Sequence, residues 1–447
     1  MSSEQKDDSL SDLVLKKITI RNYRGSATPL VIDLKRDANF LVGRNGTGKT
    51  SLINLIYAIL AGRHASLLAV DFTSADIVFS HPDKRYSPTL FVERRVDDDG
   101  DPVSVTYRFK DAKSRPDAFN ISFRSKYYRR PDEPLNVNLR KLRAELQKRF
   151  HVTWLALNRS APSNALSSAE GNKSSVSEVD SKIQNTIHRL STYVTTLDGD
   201  FADEVEIFQK QLLLSFLVEE KEKGSVQLMG DLDLDEEKVQ LTSMLRELKL
   251  SPEEYIPKVE SHISTAKSLH ADRLKTQSFT NIIKMYDIWK LHRWVEKWRM
   301  LQDRRYKIYH DKDLFITKLN EMLYRKVAFF DSGNILRIKS ISKDGNVSAD
   351  GDLVYIEGMS DNIGIVELSS GEKQLIIFLA ETLLRDRRPY IYIADEPELS
   401  LHIEWQEKLV PLILELSPQA QIFFATHSPD IVNQYGENVF SMEELAH

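Results

Sequence analysis

The sequence lacks cysteine, long apolar runs and a secretion signal. None of its 447 residues is cysteine, which excludes disulfides, cysteine-ligated zinc sites and thiol catalysis and fits a reducing compartment. The opening stretch, Met1 to Leu10, is polar and acidic, whereas a secretion signal needs an apolar core. No apolar run approaches the ~18 residues that a membrane-spanning helix needs. We therefore expect a cytoplasmic protein without a membrane contact.

An excess of basic charge is also lacking. The formal net charge is −5, so the chain as a whole has no electrostatic footprint for nucleic acid, and DNA binding would need a local basic surface. Hydrophobic residues make up 41% and charged residues 28% of the chain, which is typical of a globular protein with a sizeable core. At 447 residues the chain exceeds one ordinary domain.

The most informative stretch is glycine-rich and lies between two apolar runs. It reads Gly43-Arg44-Asn45-Gly46-Thr47-Gly48-Lys49-Thr50-Ser51. An apolar run that ends at Val42 precedes it, and apolar residues at helical spacing follow it. This context predicts a strand, a phosphate-binding loop and a helix, because the loop N–H groups and the helix start together attract phosphate. Lys49 is placed to reach the β- and γ-phosphates of ATP, and the Thr50 hydroxyl to ligate Mg²⁺. The alternative is a glycine-rich turn that binds nothing, and the flanking runs argue against it.

A second apolar run, Tyr390 to Ala394, ends in Asp395 and Glu396. A buried parallel strand places the residues that follow it at the edge of the sheet where ligands bind. Strands often end in acidic turns, so the pair alone is a weak signal. Together with the glycine-rich loop it predicts that Asp395 serves the Mg²⁺ side of the site and that Glu396 is the general base.

A third apolar run, Ile422 to Ala425, is followed by Thr426 and His427. A single histidine is more often structural than functional. Because His427 ends the next predicted strand after the acidic pair, we expect it at the same edge, where it would contact the γ-phosphate.

The stretch from Leu368 to Gln374 opens a further apolar helix. Ser369 suits the N-cap position and Glu372 has capping-box spacing, so an ordinary helix start explains both residues. The functional alternative is a second phosphate-binding helix start, with Ser369 and Gly371 as its contacts. Since the chain already has a loop for its own nucleotide, this second start would serve a nucleotide held by a neighbouring copy.

Other apolar patterns predict the remaining strands. A hairpin is expected from its acidic, glycine-containing turn at 97–101. The predicted strands are Val14–Ile20, Val31–Leu34, Asn39–Val42, Leu90–Val96, Val103–Phe109, Val152–Leu157, Leu336–Ile341 and Leu353–Glu357.

A different composition begins at Ser160. Residues 160–181 are rich in serine and asparagine and predict a linker. Beyond it, apolar residues spaced by four and three predict a helix that packs along another helix. These residues are Ile183, Ile187, Leu190, Val194, Leu197 and Phe201. Helical periods continue over Val239–Leu248, Tyr255–Leu269 and Ile282–Leu323.

Two features of the last helical stretch could serve DNA. Trp289, Trp294 and Trp298 would form either a nucleic-acid stacking surface or, as the favoured alternative, helix-pairing contacts. The run Lys290 to Arg305 is basic but also contains acids, so a solvated helix face is the default. We predict three segments: 1–160 and 331–447 form one head, and 161–330 is a helical insertion.

The four motifs, in this order, resemble those of ABC-type ATPases: P-loop, Leu-Ser-x-Gly signature, acidic strand and switch histidine. Ile18 to Arg24 resembles the first strand and loop of the branch that includes RecF, Rad50 and the overcoming-lysogenization (OLD-like) proteins, also called AAA15/AAA21. Asp395-Glu396-Pro397-Glu398-Leu399-Ser400-Leu401-His402 is specific to that branch. The resemblance covers roughly 13–160 and 335–445 and implies an α/β head: a mostly parallel central sheet, an antiparallel β subdomain and a helical, coiled-coil-like insertion. It also implies a nucleotide contact by Arg21.

The sequence departs from the pattern in three places. Ser370 and Glu372 stand where transporters have glycine and glutamine, as is common in the OLD-like branch. No clear glutamine loop is present, and Asn158-Arg159 occupies its topological place. No Cys-x-x-Cys hook exists in the insertion, so tethering by zinc as in Rad50 is excluded.

The resemblance implies an ATP-dependent switch that works as a homo-oligomer with shared sites. It extends to the ATPase subunits of two-gene anti-phage systems of the PARIS type, which has a Toprim nuclease partner, and of the Septu type, which has an HNH nuclease. No Toprim domain follows His427, so we expect no intrinsic nuclease but a separately encoded one, with a phage-encoded trigger. Two alternatives stay open: a RecF-like DNA-repair clamp that binds DNA directly, and an ATP-gated scaffold that barely turns over.

Overall fold

The computed structural model describes residues 13–68, 70–81, 87–98, 102–110, 117–122, 134–155, 178–215, 233–271, 279–341, 359–385 and 389–445. The strands are β1 (Val14–Arg21), β2 (Leu30–Asp33), β3 (Ala38–Val42), β4 (Ser74–Ser80), β5 (Thr89–Val96), β6 (Pro102–Lys110), β7 (Asp117–Ser122), β8 (His151–Trp154), β9 (Lys326–Phe330), β10 (Leu336–Ile341), β11 (Met359–Ile363), β12 (Tyr390–Asp395), β13 (Gln421–Ala425) and β14 (Val439–Ser441). The helices are α1 (Lys49–Leu60), α2 (His64–Leu68), α3 (Pro134–Arg149), α4 (Glu178–Leu214), α5 (Leu234–Glu247), α6 (Pro252–Ala271), α7 (Phe279–Met322), α8 (Ser370–Leu383), α9 (Ile403–Leu416), α10 (Pro429–Val432) and α11 (Met442–Leu445). Within the described ranges, none of these helices is both long and apolar enough to cross a membrane.

The chain divides into two compact units. The described residues of Met1–Ser191 and Leu314–His447 form one unit, here called the head, and those of Thr192–Asp313 form the helical unit. The predicted insertion, 161–330, contains the helical unit, and its bounds stay a prediction.

A five-stranded parallel sheet is the centre of the head. Its order is β14-β3-β13-β12-β8, and every neighbouring pair is parallel. This confirms the predicted parallel sheet and the three predicted strands that lead into the P-loop, the acidic pair and the histidine, which are β3, β12 and β13. Because β13 lies between β3 and β12, the loops that follow these three strands leave the sheet side by side.

The parallel sheet is buried on both faces, as its continuous apolar strands predict. On β13, Phe423 and Ala425 pack into one core, which contains most of α1, while Ile422 and Phe424 pack into another, which contains residues of α9. Helix α1 is apolar nearly all round because it is buried on all sides. The predicted helix after the glycine-rich loop is thus confirmed.

A six-stranded antiparallel sheet of order β2-β1-β4-β5-β6-β7 confirms the predicted β subdomain and its β5–β6 hairpin. Gln421 of β13 joins the two sheets, since its amide donates to the carbonyl oxygens of Leu15 and Lys35 (both 2.7 Å) and accepts from the Leu15 N–H at 2.7 Å. Buried polar groups need such partners, so this side chain fixes the edge of β1 against the parallel sheet.

The smaller predictions have mixed outcomes. β10 confirms the strand predicted over Leu336–Ile341. β8 ends at Trp154, earlier than predicted. The strand at Leu353–Glu357, the proposed loop at Asn158-Arg159 and nearly all of the 160–181 linker lie outside the described residues. β4, β7, β9, β14 and α3 were not predicted.

In the helical unit, α4 packs along another helix, as the spacing of its apolar residues predicts, and the structure shows that this helix is α7 and that the two run antiparallel. Phe208 packs edge-on against Trp298 at 5.9 Å between ring centroids, and the Tyr309 hydroxyl donates to Asp198 at 2.7 Å. Trp298 is buried, and the Trp294 N–H donates to the Ser215 hydroxyl at 2.8 Å. These tryptophans therefore make helix contacts, the alternative that the sequence favoured.

Candidate nucleotide site

The glycine-rich loop between β3 and α1 has the shape of a phosphate cradle. Gly48 is the N-cap of α1 and has φ +99°, and Gly46 has φ +87°. Residues with side chains avoid this left-handed region. No side chain caps α1, so the N–H groups of its first turn, which have no partner within the helix, face outward for an anion.

Lys49 is the buried cation of this loop. Its ammonium group donates to the carbonyl oxygens of Gly43 at 2.8 Å and Arg44 at 3.2 Å. Burial lowers the pKa of Lys49, and the charges of Glu396, Asp395, Glu443 and Glu398 oppose that shift. The charges of four carboxylates thus act on one lysine, so the P-loop lysine and the acidic pair at the end of β12 lie close enough to interact.

Glu396 and His427 also meet. Glu396 has a left-handed backbone, φ +50°, which is rare for a residue with a side chain, and its N–H donates to the Ala425 carbonyl at 2.8 Å. His427 Nε2 lies 3.9 Å from Glu396 Oε1. A carboxylate and an imidazole at this separation can share a site for the γ-phosphate and an attacking water.

Glu398 holds the histidine loop, a role that the sequence did not reveal. Its Oε1 accepts the backbone N–H of His427 at 2.7 Å, while among the described residues its buried Oε2 has no hydrogen-bond partner. The loop is further braced by Ser428, whose hydroxyl donates to Gln406 at 2.7 Å. The His427 backbone is therefore fixed relative to the acidic loop.

The start of α8 is an N-terminal cap closed by its own side chains. The Ser369 hydroxyl donates to Glu372 at 2.8 Å, and Glu372 also accepts the Ser369 N–H at 2.9 Å. Burial raises the pKa of Glu372, but hydrogen bonds from Lys326 and Ser369 outweigh it, so the net shift is downward. In the described part of the chain, the exposed Ser369 side chain bonds only to Glu372, and the Ser369 carbonyl accepts the N–H of Lys373 at 3.0 Å.

Gly371 is required by a close approach. A Cβ at this position would overlap the carbonyl oxygen of Ser400. The start of α8 therefore packs directly on the exposed turn that follows Glu396 and Glu398.

The first strand and its loop contribute two arginines to the head, Arg21 and Arg24, and the structure places Arg24 beside the cradle. Arg21 pairs with Asp76 and donates to the Ser74 hydroxyl at 3.2 Å on the antiparallel sheet. By contrast, a Cβ on Gly48 would lie 2.5 Å from Arg24 Nη1. Arg24 has no ion-pair partner among the described residues, and only the fold could show that it reaches the loop; the nucleotide contact of Arg21 stays a prediction.

Tyr23, the neighbour of Arg24, also contacts Gly48. Its hydroxyl donates to the Gly48 carbonyl at 3.2 Å. Burial raises the pKa of Tyr23 to about 12, so the hydroxyl keeps its proton and stays a donor.

The residues present fit ATP with Mg²⁺. The cradle supplies N–H groups and Lys49 for phosphate, and the oxygen donors of Thr50 and Asp395 are of the kind that Mg²⁺ prefers. Among the described residues no three His, Asp or Glu side chains form a metal cluster. Mg²⁺ bound by Thr50 and Asp395 would neutralise phosphate charge.

A comparison with known protein families identifies the family of this chain. The AAA_15 model, described as an AAA ATPase domain, matches residues 14–432. The chain therefore belongs to this family of ATPases and is an ATPase of the ABC/AAA type with an α/β head. No curated protein matches the sequence.

Solved structures similar to this chain include Smc head domains. That of Pyrococcus furiosus, with an extended coiled coil, has a TM-score of 0.43 and 12% identity over 96% of this chain and 93% of that chain. The Pyrococcus yayanosii head has a TM-score of 0.38 and 14% identity over 96% and 95%. The Thermotoga maritima head has a TM-score of 0.34 and 11% identity over 96% and 94%.

Proposed function

We propose that this ATPase is a homo-oligomeric switch of an anti-phage defence system. Its heads join through shared ATP sites, hold a separately encoded nuclease inactive, and release it when a phage-encoded trigger is sensed. The observation that carries the proposal is the start of α8, where the exposed Ser369 hydroxyl bonds to Glu372 and, among the described residues, to none of the P-loop, acidic-pair or histidine residues. A helix start of this kind suits the γ-phosphate of ATP held by a second copy.

In this proposal each side chain has one task in ATP hydrolysis. The loop N–H groups and Lys49 hold the phosphates. Glu396 accepts a proton from water as the water oxygen attacks the γ-phosphorus, and the bond to the ADP oxygen breaks. His427 contacts the γ-phosphate. The reaction yields ADP and phosphate and separates the heads.

Ion pairs connect α8, which carries the signature motif, to α4. On α8, Lys373 pairs with Asp180 at 2.7 Å and Glu381 with Arg189 at 2.5 Å. Both partners lie in the part of α4 that belongs to the head, directly before the chain enters the helical unit. A movement of α8 on ATP binding would therefore act on α4.

Mixed oligomers test the shared site. Ser369→Arg places bulk and charge where the neighbour's phosphate would lie, and Lys49→Ala removes the cation on the opposite side. Each variant alone should lose nearly all turnover, whereas mixing them leaves one intact site per dimer and should restore part of it. Verified mixed dimers that show no recovery at any ratio would contradict the proposal.

The nature of the effector is tested by co-purification. A PARIS-type system, whose ATPase is AriA, predicts a Toprim nuclease from the neighbouring gene; a Septu-type system, whose ATPase is PtuA, predicts an HNH nuclease, and we favour the first. The nuclease should co-purify without the trigger and dissociate with trigger and ATP. DNA cleavage by this protein alone with metal would overturn the effector proposal.

Direct DNA binding, as in a RecF-like clamp, is the second candidate. Within the basic run of α7, Arg299 pairs with Glu236 at 2.6 Å and Arg305 with Glu247 at 3.2 Å, and Arg304 pairs with Glu204. These pairings occupy cations that would otherwise face phosphates, so they favour the effector proposal. Salt-dependent DNA binding by the purified protein would reverse that preference.

A further inference from the structure

The C-terminal segment Val439–Leu445 lies against the start of the P-loop. β14 pairs in parallel with β3, and its last residue, Ser441, stands opposite Val42, the residue before Gly43. α11 follows at once, and Met442 is fully buried. Glu443, which belongs to none of the ATPase motifs, is thereby brought to the loop from almost the other end of the chain.

Glu443 makes a direct bond to the loop backbone. Its Oε1 accepts the N–H of Arg44 at 2.8 Å, and its Oε2 accepts the Ser441 hydroxyl at 3.0 Å. A Cβ on Gly43 would lie 3.0 Å from Oε2 and 3.0 Å from the Met442 Cβ. The missing side chain at Gly43 therefore leaves the space that the carboxylate occupies.

Lys49 holds the other end of the same peptide group. The N–H of Arg44 and the carbonyl of Gly43 belong to one planar peptide unit. Glu443 bonds its N–H, and the Lys49 ammonium bonds its carbonyl at 2.8 Å. The plane of this peptide, and with it the position of the Lys49 ammonium, is fixed from both sides.

The charge on Glu443 agrees with this arrangement. Hydrogen bonds from the backbone, first that of Arg44, lower the pKa of Glu443, so the group is an anion and accepts strongly at neutral pH. It also favours the charged form of Lys49.

We propose that Glu443 is a positioning residue of the nucleotide site, which orients the Gly43–Arg44 peptide and through it the phosphate-binding ammonium of Lys49. The C-terminal segment is then part of the nucleotide site, and anything that displaces it lowers the affinity for ATP. The inference rests on nucleotide binding by this family and is independent of the effector.

The test is ATP binding and turnover by the full chain. Glu443→Ala should raise the Kd and KM for ATP about tenfold, the size expected for one charge-assisted hydrogen bond, while kcat stays within about twofold. Glu443→Gln keeps an oxygen acceptor for the Arg44 N–H and should restore most of the affinity. Glu444→Ala, a change at the exposed neighbouring carboxylate, is the matched control and should bind like the wild type.

Several results would overturn the inference. Equal affinities of the Glu443→Ala and Glu444→Ala proteins would show that the carboxylate has no role. A Glu443→Gln variant as weak as Glu443→Ala would exclude the hydrogen bond as the cause. If Glu443→Ala does not fold, Ser441→Ala replaces it, with an expected loss of about threefold, and unchanged affinity there counts against the proposal. Failure of the wild type to bind ATP would instead refute the nucleotide site itself.

Discussion

Helices α1 and α8 both begin at a glycine-containing turn, yet their first turns are completed in opposite ways. α1 has a left-handed glycine, Gly48, as its N-cap and no side-chain cap. α8 has Ser369 as its N-cap, and Ser369 and Glu372 satisfy each other's backbone N–H groups. The first helix leaves its N–H groups for a ligand, and the second satisfies part of its own.

This difference indicates that the start of α1 can bind phosphate as it stands, whereas the start of α8 must first rearrange. The cradle at α1 is formed in advance, with Lys49 beside it. At α8 the Ser369 hydroxyl already donates to Glu372, and Glu372 is held by Lys326 at 2.6 Å. In the shared-site proposal, a phosphate from a neighbour must replace Glu372 as the acceptor, so α8 would respond to engagement rather than precede it.

Glu396→Gln should have the largest effect on turnover, because it leaves both helix starts intact and removes only the base. Turnover should fall about 10³-fold, the range for loss of a general base, while ATP stays bound and joined heads accumulate. Steady-state hydrolysis and size-exclusion chromatography with ATP measure both effects. Near wild-type turnover would mean that another group is the base.

Lys49→Ala should impair phosphate binding at the start of α1. Loss of a charge-assisted contact to phosphate should weaken ATP binding about 100-fold, without affecting α8. Equilibrium binding of a fluorescent ATP analogue measures the change, and Lys307→Ala, on an exposed face of α7, is the control. Similar affinities for the two variants would remove Lys49 from the phosphate site.

Gly371→Ala should destabilise the protein by overpacking the start of α8. Its methyl group would overlap the backbone carbonyl of Ser400, which cannot move as a side chain would. We expect a loss of about 2 kcal/mol in the free energy of unfolding, as for other overpacked sites. Urea unfolding compares it with Ser370→Ala, the exposed neighbour, and equal stability of the two would show that the turn at Ser400 yields freely.

Glu372→Gln should have the smallest effect, and it depends on pH. The folded pKa of Glu372 is lowered from 4.5, so its charge stabilises the folded state above pH 4.5 and that stability is lost as pH falls through the folded pKa. At pH 7 the variant should unfold about 1 kcal/mol more easily than the wild type. Thermal unfolding between pH 7 and pH 3 should show the gap closing below pH 4.5; a constant gap would exclude Glu372 as its source.

Local sequence patterns were enough to predict the motifs, the parallel strands that carry them and the packing of α4 along another helix. Each of these is local: a glycine-rich loop between a strand and a helix, or apolar residues at a regular spacing, is visible within a short stretch. The position of Lys49 beside Asp395 and Glu396 followed because parallel strands present their carboxyl ends at one edge.

The further groups that reach the site are set by the folded arrangement of the whole head. β14 has three residues, too few to be evident in the sequence, and it exists as a strand because β3 offers it a partner. Glu443 and Arg44 are 399 positions apart, and no local pattern links them. The position of Arg24 beside Gly48 follows from the turn after β1, and the fit of Gly371 follows from the path of the chain at Ser400. Such contacts depend on strand order and loop paths, which are set by the packing of the whole head.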